Sequence, residues 1–268
     1  MVSNALRDLH ARPPLVLPNA WDPGSAVAIV AAGAAAIATT SGGLSWAAGV
    51  PDAGGLGRDA ALDALRRIVG AVSVPVTADI ETGYGTTPDE VAATIAAVLA
   101  TGAMGVNIED SPGAGDAALL DAGAQAERLA AARAAAVAAG ADLVINARTD
   151  TFLAGSGTPA ERLAATMARA QRYATAGADV LFVPGVVDAQ TIRTLVAGPL
   201  PINVMVHPGA LSVRELADLG VVRISVGTAV AQAAYGRAAA ATRELLGAGT
   251  YSTLEDAMGY GELNDLLR

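Results

Sequence analysis

The chain contains no cysteine and no lysine, and its 17 basic residues are all arginine. The first absence rules out disulfides, thiolate metal sites and a cysteine nucleophile. The second rules out a Schiff-base lysine and the lysine of a phosphate-binding P-loop. Aromatic residues are only 3% of the chain, so the core must be built from Ala, Val, Leu and Ile. Positive charge is scarce: against 26 acids the net charge is −9. So acidic a chain lacks the basic surface that neutralises phosphates, which excludes nucleic acid as a partner. Small anions stay admissible, because a metal or a local arginine reverses the field inside a cleft. Long hydrophobic runs are missing too. The most apolar stretch, AVAIVAAGAAAIATT, is broken by Gly33 and followed by polar residues. No membrane partner is expected from it. The N-terminal MVSNALRDLHARPP lacks a signal pattern, so the cytoplasm is the expected location.

What is present is a repeating unit. An Ala-rich helical segment ends in glycine and a short β-rich run follows, as in ATGAMGVNIED (100–110), AAGADLVINARTD (138–150) and TAGADVLFVPG (175–185). Glycine at a helix C-terminus followed by a buried strand is how a βα unit closes. Strands are read at 15–21, 36–42, 75–81, 105–110, 143–150, 179–185, 202–207 and 223–228. Helices are read at about 23–33, 58–72, 87–101, 121–140, 159–177, 188–197, 212–219 and 228–247. Thr87-Pro88-Asp89-Glu90 and Thr158-Pro159-Ala160-Glu161 are helix starts, with proline at the first helical position. Eight strands alternating with eight helices predict an α/β fold, a (β/α)8 TIM barrel, spanning 1–268 as one domain. An amphipathic helical tail is read at about 250–268.

In such a barrel the chemistry sits at the C-terminal ends of the strands. Those ends carry Asn19, then Ser41-Gly42-Gly43, Asp79 and Glu81, Glu109-Asp110, Arg148 and Asp150, and finally Asn203 and His207. Asp79 and Glu81, in TADIETGYG, are two apart, which on a strand places them on one side. Asp52 lies in the loop after the second strand. Carboxylates converging on a half-dry mouth repel unless protonated, hydrogen-bonded or neutralised. Oxygen ligands without His or Cys suit Mg²⁺ or Mn²⁺. The alternative is that each acid pairs with an arginine or caps a helix. The planar fork of Arg148 suits a carboxylate or phosphate, or a salt bridge to Glu109 or Asp150. TTSGGLS is read as a strand entering a glycine loop whose amides can approach an anion. His207 is a candidate proton carrier or a structural residue, and Tyr84 either reaches the mouth or packs.

LPNAWDPGSA, TTSGGLSWAAGVPD, TADIETGYG, NIEDS and NARTD, in that order, resemble the isocitrate lyase/phosphoenolpyruvate mutase superfamily. The resemblance spans about 15–265. It implies a Mg²⁺-dependent barrel, a homo-oligomer (dimer or tetramer) that exchanges C-terminal helices between subunits. The implied reaction makes or breaks C–C or P–C bonds in small 2-oxo or 2-hydroxy acids through an enolate. By motif, Asp79 would bind the metal directly, and Glu81, Glu109 and Asp52 largely through water. Ser41, Gly42 and Gly43 would bind the substrate carboxylate; Tyr84, Asn203 and His207 are added as substrate-binding candidates from their place at the strand ends. Arg148 would contact the reacting end, and Asp52 or Glu109 would act as base. The lyases of this superfamily carry a K-x-C-G-H loop, and the phosphonate enzymes a gating loop with lysine. The segment after Glu109, DSPGAGDAALLDAGAQAERL, has no Cys, Lys or His. The expectation is therefore a C–C lyase or decarboxylase of an oxaloacetate-like acid. The alternatives are a P–C bond enzyme and a barrel that binds carboxylates without turnover.

Overall fold

The computed structural model describes residues 4–111, 118–153 and 156–268. Parallel strands form one sheet in the order β1-β9-β8-β7-β6-β5-β4-β3-β2. They are β1 (Leu15–Leu17), β2 (Asn19–Ala20), β3 (Ile37–Thr39), β4 (Val76–Asp79), β5 (Gly105–Glu109), β6 (Val144–Arg148), β7 (Val180–Phe182), β8 (Ile202–Met205) and β9 (Arg223–Ser225). The single strand expected over 15–21 is divided at Pro18, which has no N–H to give to a ladder. Leu15–Leu17 pair with β9, and Asn19–Ala20 pair with β3. The two ends of the sheet are thus consecutive pieces of chain, and the sheet closes into an eight-staved (β/α)8 barrel.

Eight helices lie where the sequence places them: α2 (Pro23–Ala31), α4 (Arg58–Ala71), α5 (Pro88–Leu99), α6 (Ala122–Ala138), α7 (Pro159–Thr175), α8 (Ala189–Val196), α9 (Val213–Asp218) and α10 (Ala229–Gly247). Capping boxes start α5 at Thr87/Glu90 and α7 at Thr158/Glu161, as expected, and also α2 at Asp22/Ser25 and α9 at Ser212/Glu215. Each such cap contributes about 1 kcal/mol. The tail holds a 3₁₀ turn and α11 (Tyr260–Leu266). No described helix is long and apolar enough to cross a membrane.

Two helices were not expected. The glycine loop read in TTSGGLS is α3 (Ser41–Ala47). Glycine disfavours helix, but a Cβ on Gly42 would lie 2.7 Å from Thr228 Cγ2 and 2.8 Å from Asp52 Oδ2. One on Gly43 would lie 2.6 Å from Thr40 Cγ2 and 2.8 Å from Trp21 Cβ. Close packing selects glycine here, not a turn. The other helix, α1 (Ala5–His10), plugs the N-terminal end of the barrel. Its Leu6 joins Leu15, Leu17, Ala36 and Val144 in a small inner core. Arg7 ties α1 down through ion pairs of 2.8 Å to Asp142 and to Asp179.

Outside this plug a larger core of Ala, Val, Leu and Ile fills the annulus between strands and helices. Alternate strand residues point inward, and above the plug that interior turns polar. Asp79 is in register with Asn107, Asn107 with Asn146, and Asn203 with Arg223. Asn107 Oδ1 accepts from Asn146 Nδ2 at 2.7 Å and from Arg223 Nη2 at 3.1 Å. Asp79 belongs to this layer, and the other acids lie at the same end of the strands.

Candidate active site

Asp79 ends β4, and two hydrogen bonds fix it. Its amide donates to Thr39 Oγ1 at 2.9 Å, and its Oδ2 accepts from the Ser41 amide at 3.0 Å. Glu81 does not continue the pleat, as the two-residue spacing suggested. β4 stops at Asp79, and Glu81 sits at φ +51°, in the left-handed region. That conformation costs a non-glycine residue roughly 1–2 kcal/mol. It turns the carboxylate toward the 51–55 loop, where Oε2 accepts from the Gly54 amide at 3.0 Å. Tyr84, also at positive φ, donates its hydroxyl to Glu81 Oε1 at 3.2 Å while its ring packs on the outer core. Both readings of Tyr84 therefore apply together.

Glu109 ends β5 and meets Arg148, at the end of β6, with Oε2 2.6 Å from Nη1. Arg148 also grips Asp150, Nε to Oδ1 at 2.6 Å and Nη2 to Oδ2 at 2.8 Å. Its guanidinium lies 5.9 Å from the centre of the Phe182 ring. Asp150 is held in turn by Asp110, whose Oδ1 accepts from the Asp150 amide at 3.0 Å. The other oxygen of this fully buried carboxylate accepts from Tyr173 at 2.8 Å and from Arg169 at 3.0 Å. Asp110 thus fixes the β5 and β6 ends to α7.

Electrostatics bind these groups into one site. Burial pushes Glu109 up to about 8 against the pull of Arg148, with Asp79, Asp150 and Glu81 adding repulsion. Burial, then Asp79 and Asp52, raise Glu81. Burial works against the charge of Arg148, but Glu109 and Asp150 outweigh it and keep it protonated. The alternative that every acid pairs with an arginine therefore holds for Glu109 and Asp150. Among the described residues, Asp52, Asp79 and Glu81 have no ion-pair partner.

The structure brings Ser41, Gly42, Asp52, Asp79, Glu81, Tyr84, Glu109 and Arg148 to one end of the barrel, with Asp52 against α3 through the close approach at Gly42. Asn203, in register with Phe182 and Arg223, is fully buried, and its Nδ2 donates to Ser225 Oγ at 3.1 Å. His207, just beyond the C-terminal end of β8, is exposed, with its Nδ1 2.9 Å from the Pro208 carbonyl oxygen. Thr39, Phe182 and Arg223 were not picked out as site residues, and Asp110 was read only as a polar group at a strand end. A charged residue inside the apolar run VVRISVG was the available signal for Arg223. Residues 112–117 of the segment after Glu109 lie outside the described residues.

Residues 6–246 match the family model of phosphoenolpyruvate phosphomutase. The chain belongs to the isocitrate lyase/phosphoenolpyruvate mutase superfamily. It is 37% identical over 242 residues to an uncharacterised protein of Mycobacterium tuberculosis (strain ATCC 25618 / H37Rv), covering 89% of this chain and 88% of that protein. It is 33% identical over 169 residues to 2-methylisocitrate lyase of Escherichia coli (strain K12), covering 60% of this chain and 54% of that enzyme. A crystal structure from Burkholderia cenocepacia J2315, described provisionally as a lyase/mutase, superposes with a TM-score of 0.90 at 40% identity, over 97% of this chain and 94% of that one. The superfamily is one of lyases and mutases, and the chain is an enzyme of that superfamily.

The superfamily implies a divalent cation at the acids. Among the described residues no group of three Asp, Glu or His side chains forms a ready-made ligand set. The donor chemistry nevertheless fits Mg²⁺. The donors are hard oxygens, and Mg²⁺ keeps several waters and needs only one or two direct carboxylates. The unpaired Asp52, Asp79 and Glu81 supply the uncompensated charge, with Glu109 beside them.

Proposed function

We propose that the chain is a Mg²⁺-dependent lyase of small 2-oxo or 2-hydroxy carboxylic acids. It would break a C–C bond, or release CO₂ from an oxaloacetate-like acid, with the bonding electrons held as an enolate. One observation carries this reading. Three unpaired acids share a barrel mouth with an arginine that is already clamped between two others. Likeness to a lyase of a branched tricarboxylic acid supports it.

Asp79 would hold the ion directly, and Glu81, Glu109 and Asp52 through its water. When bound, the ion supplies Lewis-acid stabilisation of the charge that develops on the 2-oxo oxygen. The chain's own groups do the rest. The first amides of α3 are not capped by the Thr40 side chain. The amides of Gly42 and Gly43 face a carboxylate there, since Asp79 already takes that of Ser41. One preorganised donor of this kind is worth about 3 kcal/mol of barrier. Arg148 reads the reacting end with its planar fork, exchanging Glu109 for substrate. Burial raises Glu109 to about 8, so near neutral pH it is mostly protonated and accepts a proton only through its ionised fraction. Asp52 is the second candidate base. The test is formation of pyruvate from oxaloacetate, and of the corresponding 2-oxo acid from a panel of 2-alkylmalates, with phosphonopyruvate as the P–C control, with and without Mg²⁺. Asp79→Ala is expected to abolish turnover. Activity that survives this change or a chelator would sink the metal mechanism, and turnover of phosphonopyruvate alone would move the reaction to P–C bonds.

A further inference from the structure

The middle of the barrel holds a charge that the chemistry above does not use. Arg223, on β9, is completely buried. Nη2 donates to Asn107 Oδ1, but neither Nε nor Nη1 meets an acceptor among the described residues. Arginine is almost never fully buried without a partner. Val, Ile or Leu ordinarily fill the layers inside such a barrel. An unpaired guanidinium there costs several kcal/mol in lost hydration. Burial pulls Arg223 down to about 9, and Asp79 is the charge that opposes this. At neutral pH the guanidinium is still a cation, held under the acids by the field of Asp79.

The charge balance of the mouth gives this cation a use. Among the described residues, Asp52, Asp79, Glu81, Glu109 and Asp150 share one ion-paired arginine, Arg148. Such an excess favours a divalent cation but repels the carboxylates of a substrate. We infer that Arg223 is a buried counter-charge that sets the potential of the mouth, weakening its grip on a divalent cation and strengthening its grip on an anionic substrate. It touches no substrate. It acts through the field, and through Asn107, which is in register with Asp79 and two residues before Glu109. Arg223 is therefore a positioning residue. The low-dielectric interior carries its field to the mouth with little screening by salt. This inference rests on the proposed reading of the mouth as a metal and carboxylate site.

The test uses two neutral replacements of different shape, Arg223→Met and Arg223→Gln, with folding checked by circular dichroism. Each is titrated calorimetrically with Mg²⁺ alone, then with oxalate in saturating Mg²⁺, beside the wild type. In both variants the Kd for Mg²⁺ should fall and that for oxalate should rise, each by about tenfold. A residue that only fills space would shift both affinities the same way or neither, and either result overturns the inference. Unfolding of both variants overturns it as well, by assigning Arg223 to the fold alone. Wild-type protein that takes up neither probe removes the metal and carboxylate reading itself, and the inference with it. Wild-type binding of both probes, with the two shifts opposed in sign, is the supporting result.

Discussion

At the scale of single residues, the mouth works through contrast between acids. Glu109 and Asp150 share one arginine, whereas Asp52, Asp79 and Glu81 have no ion-pair partner among the described residues. The clamp on Arg148 uses the edges of its fork, which lysine cannot reproduce. Arg148→Lys is expected to lower kcat/KM about a hundredfold, or about 2.7 kcal/mol, on whichever acid the enzyme turns over. The melting temperature should move little. A variant with near-normal kcat/KM would show that Arg148 only balances Glu109. Much of this was legible beforehand, because acids and an arginine at the ends of apolar runs stand out. The turn at Glu81 was not. Sequence spacing cannot tell a strand that continues from one that stops at Asp79 and swings the next carboxylate round at positive φ.

Among the elements, glycine separates what could be read from what could not. Glycines that end helices announced the βα units, since that position needs a conformation few other residues accept. The glycines of α3 carried no such announcement, because their reason is the proximity of Trp21, Asp52 and Thr228, all distant in sequence. Gly105 belongs with them. A Cβ there would lie 2.7 Å from Leu6 Cδ2, 2.9 Å from Thr77 Oγ1 and 3.0 Å from the Val144 carbonyl oxygen. Gly105→Ala should therefore lift α1 from the closed end and cost about 1–3 kcal/mol in urea unfolding. Turnover per folded molecule should stay at the wild-type level, since the plug is at the opposite end from the acids. Unchanged stability would show that α1 yields easily.

For the whole molecule, the two ends of the barrel respond oppositely to acid. His10, in the α1 plug, is pushed down to about 4, chiefly by burial, with Arg223 and Arg7 adding repulsion. Its Nδ1 is 2.8 Å from the Leu6 carbonyl oxygen, to which it donates as the neutral ring. Unfolding returns it to its ordinary value of 6.5. The unfolded chain thus binds more protons between about 4 and 6.5. The stability owed to neutral His10 is complete above 6.5 and is lost as the pH falls through 4. The loss is up to about 3 kcal/mol. His10→Asn, which keeps a donor for Leu6, should flatten the fall in unfolding free energy between pH 7.5 and 4.5. A slope equal to that of the wild type would remove His10 from the acid response. At the open end, burial raises Glu109 above its unfolded value, so its contribution runs the other way and declines as the pH climbs from about 4.5 to 8.

The division of the first strand at Pro18 has a consequence for biosynthesis. Leu15–Leu17 are made about 200 residues before their ladder partner, the last stave. Until Arg223–Ser225 emerge, that side of the nascent sheet stays a raw edge, able to capture another strand. A covalent tether between Leu15–Leu17 and the last stave would hold the clasp and its mate together from the start. Such a tethered chain should refold faster, because the entropic cost of closing that long loop is removed in advance.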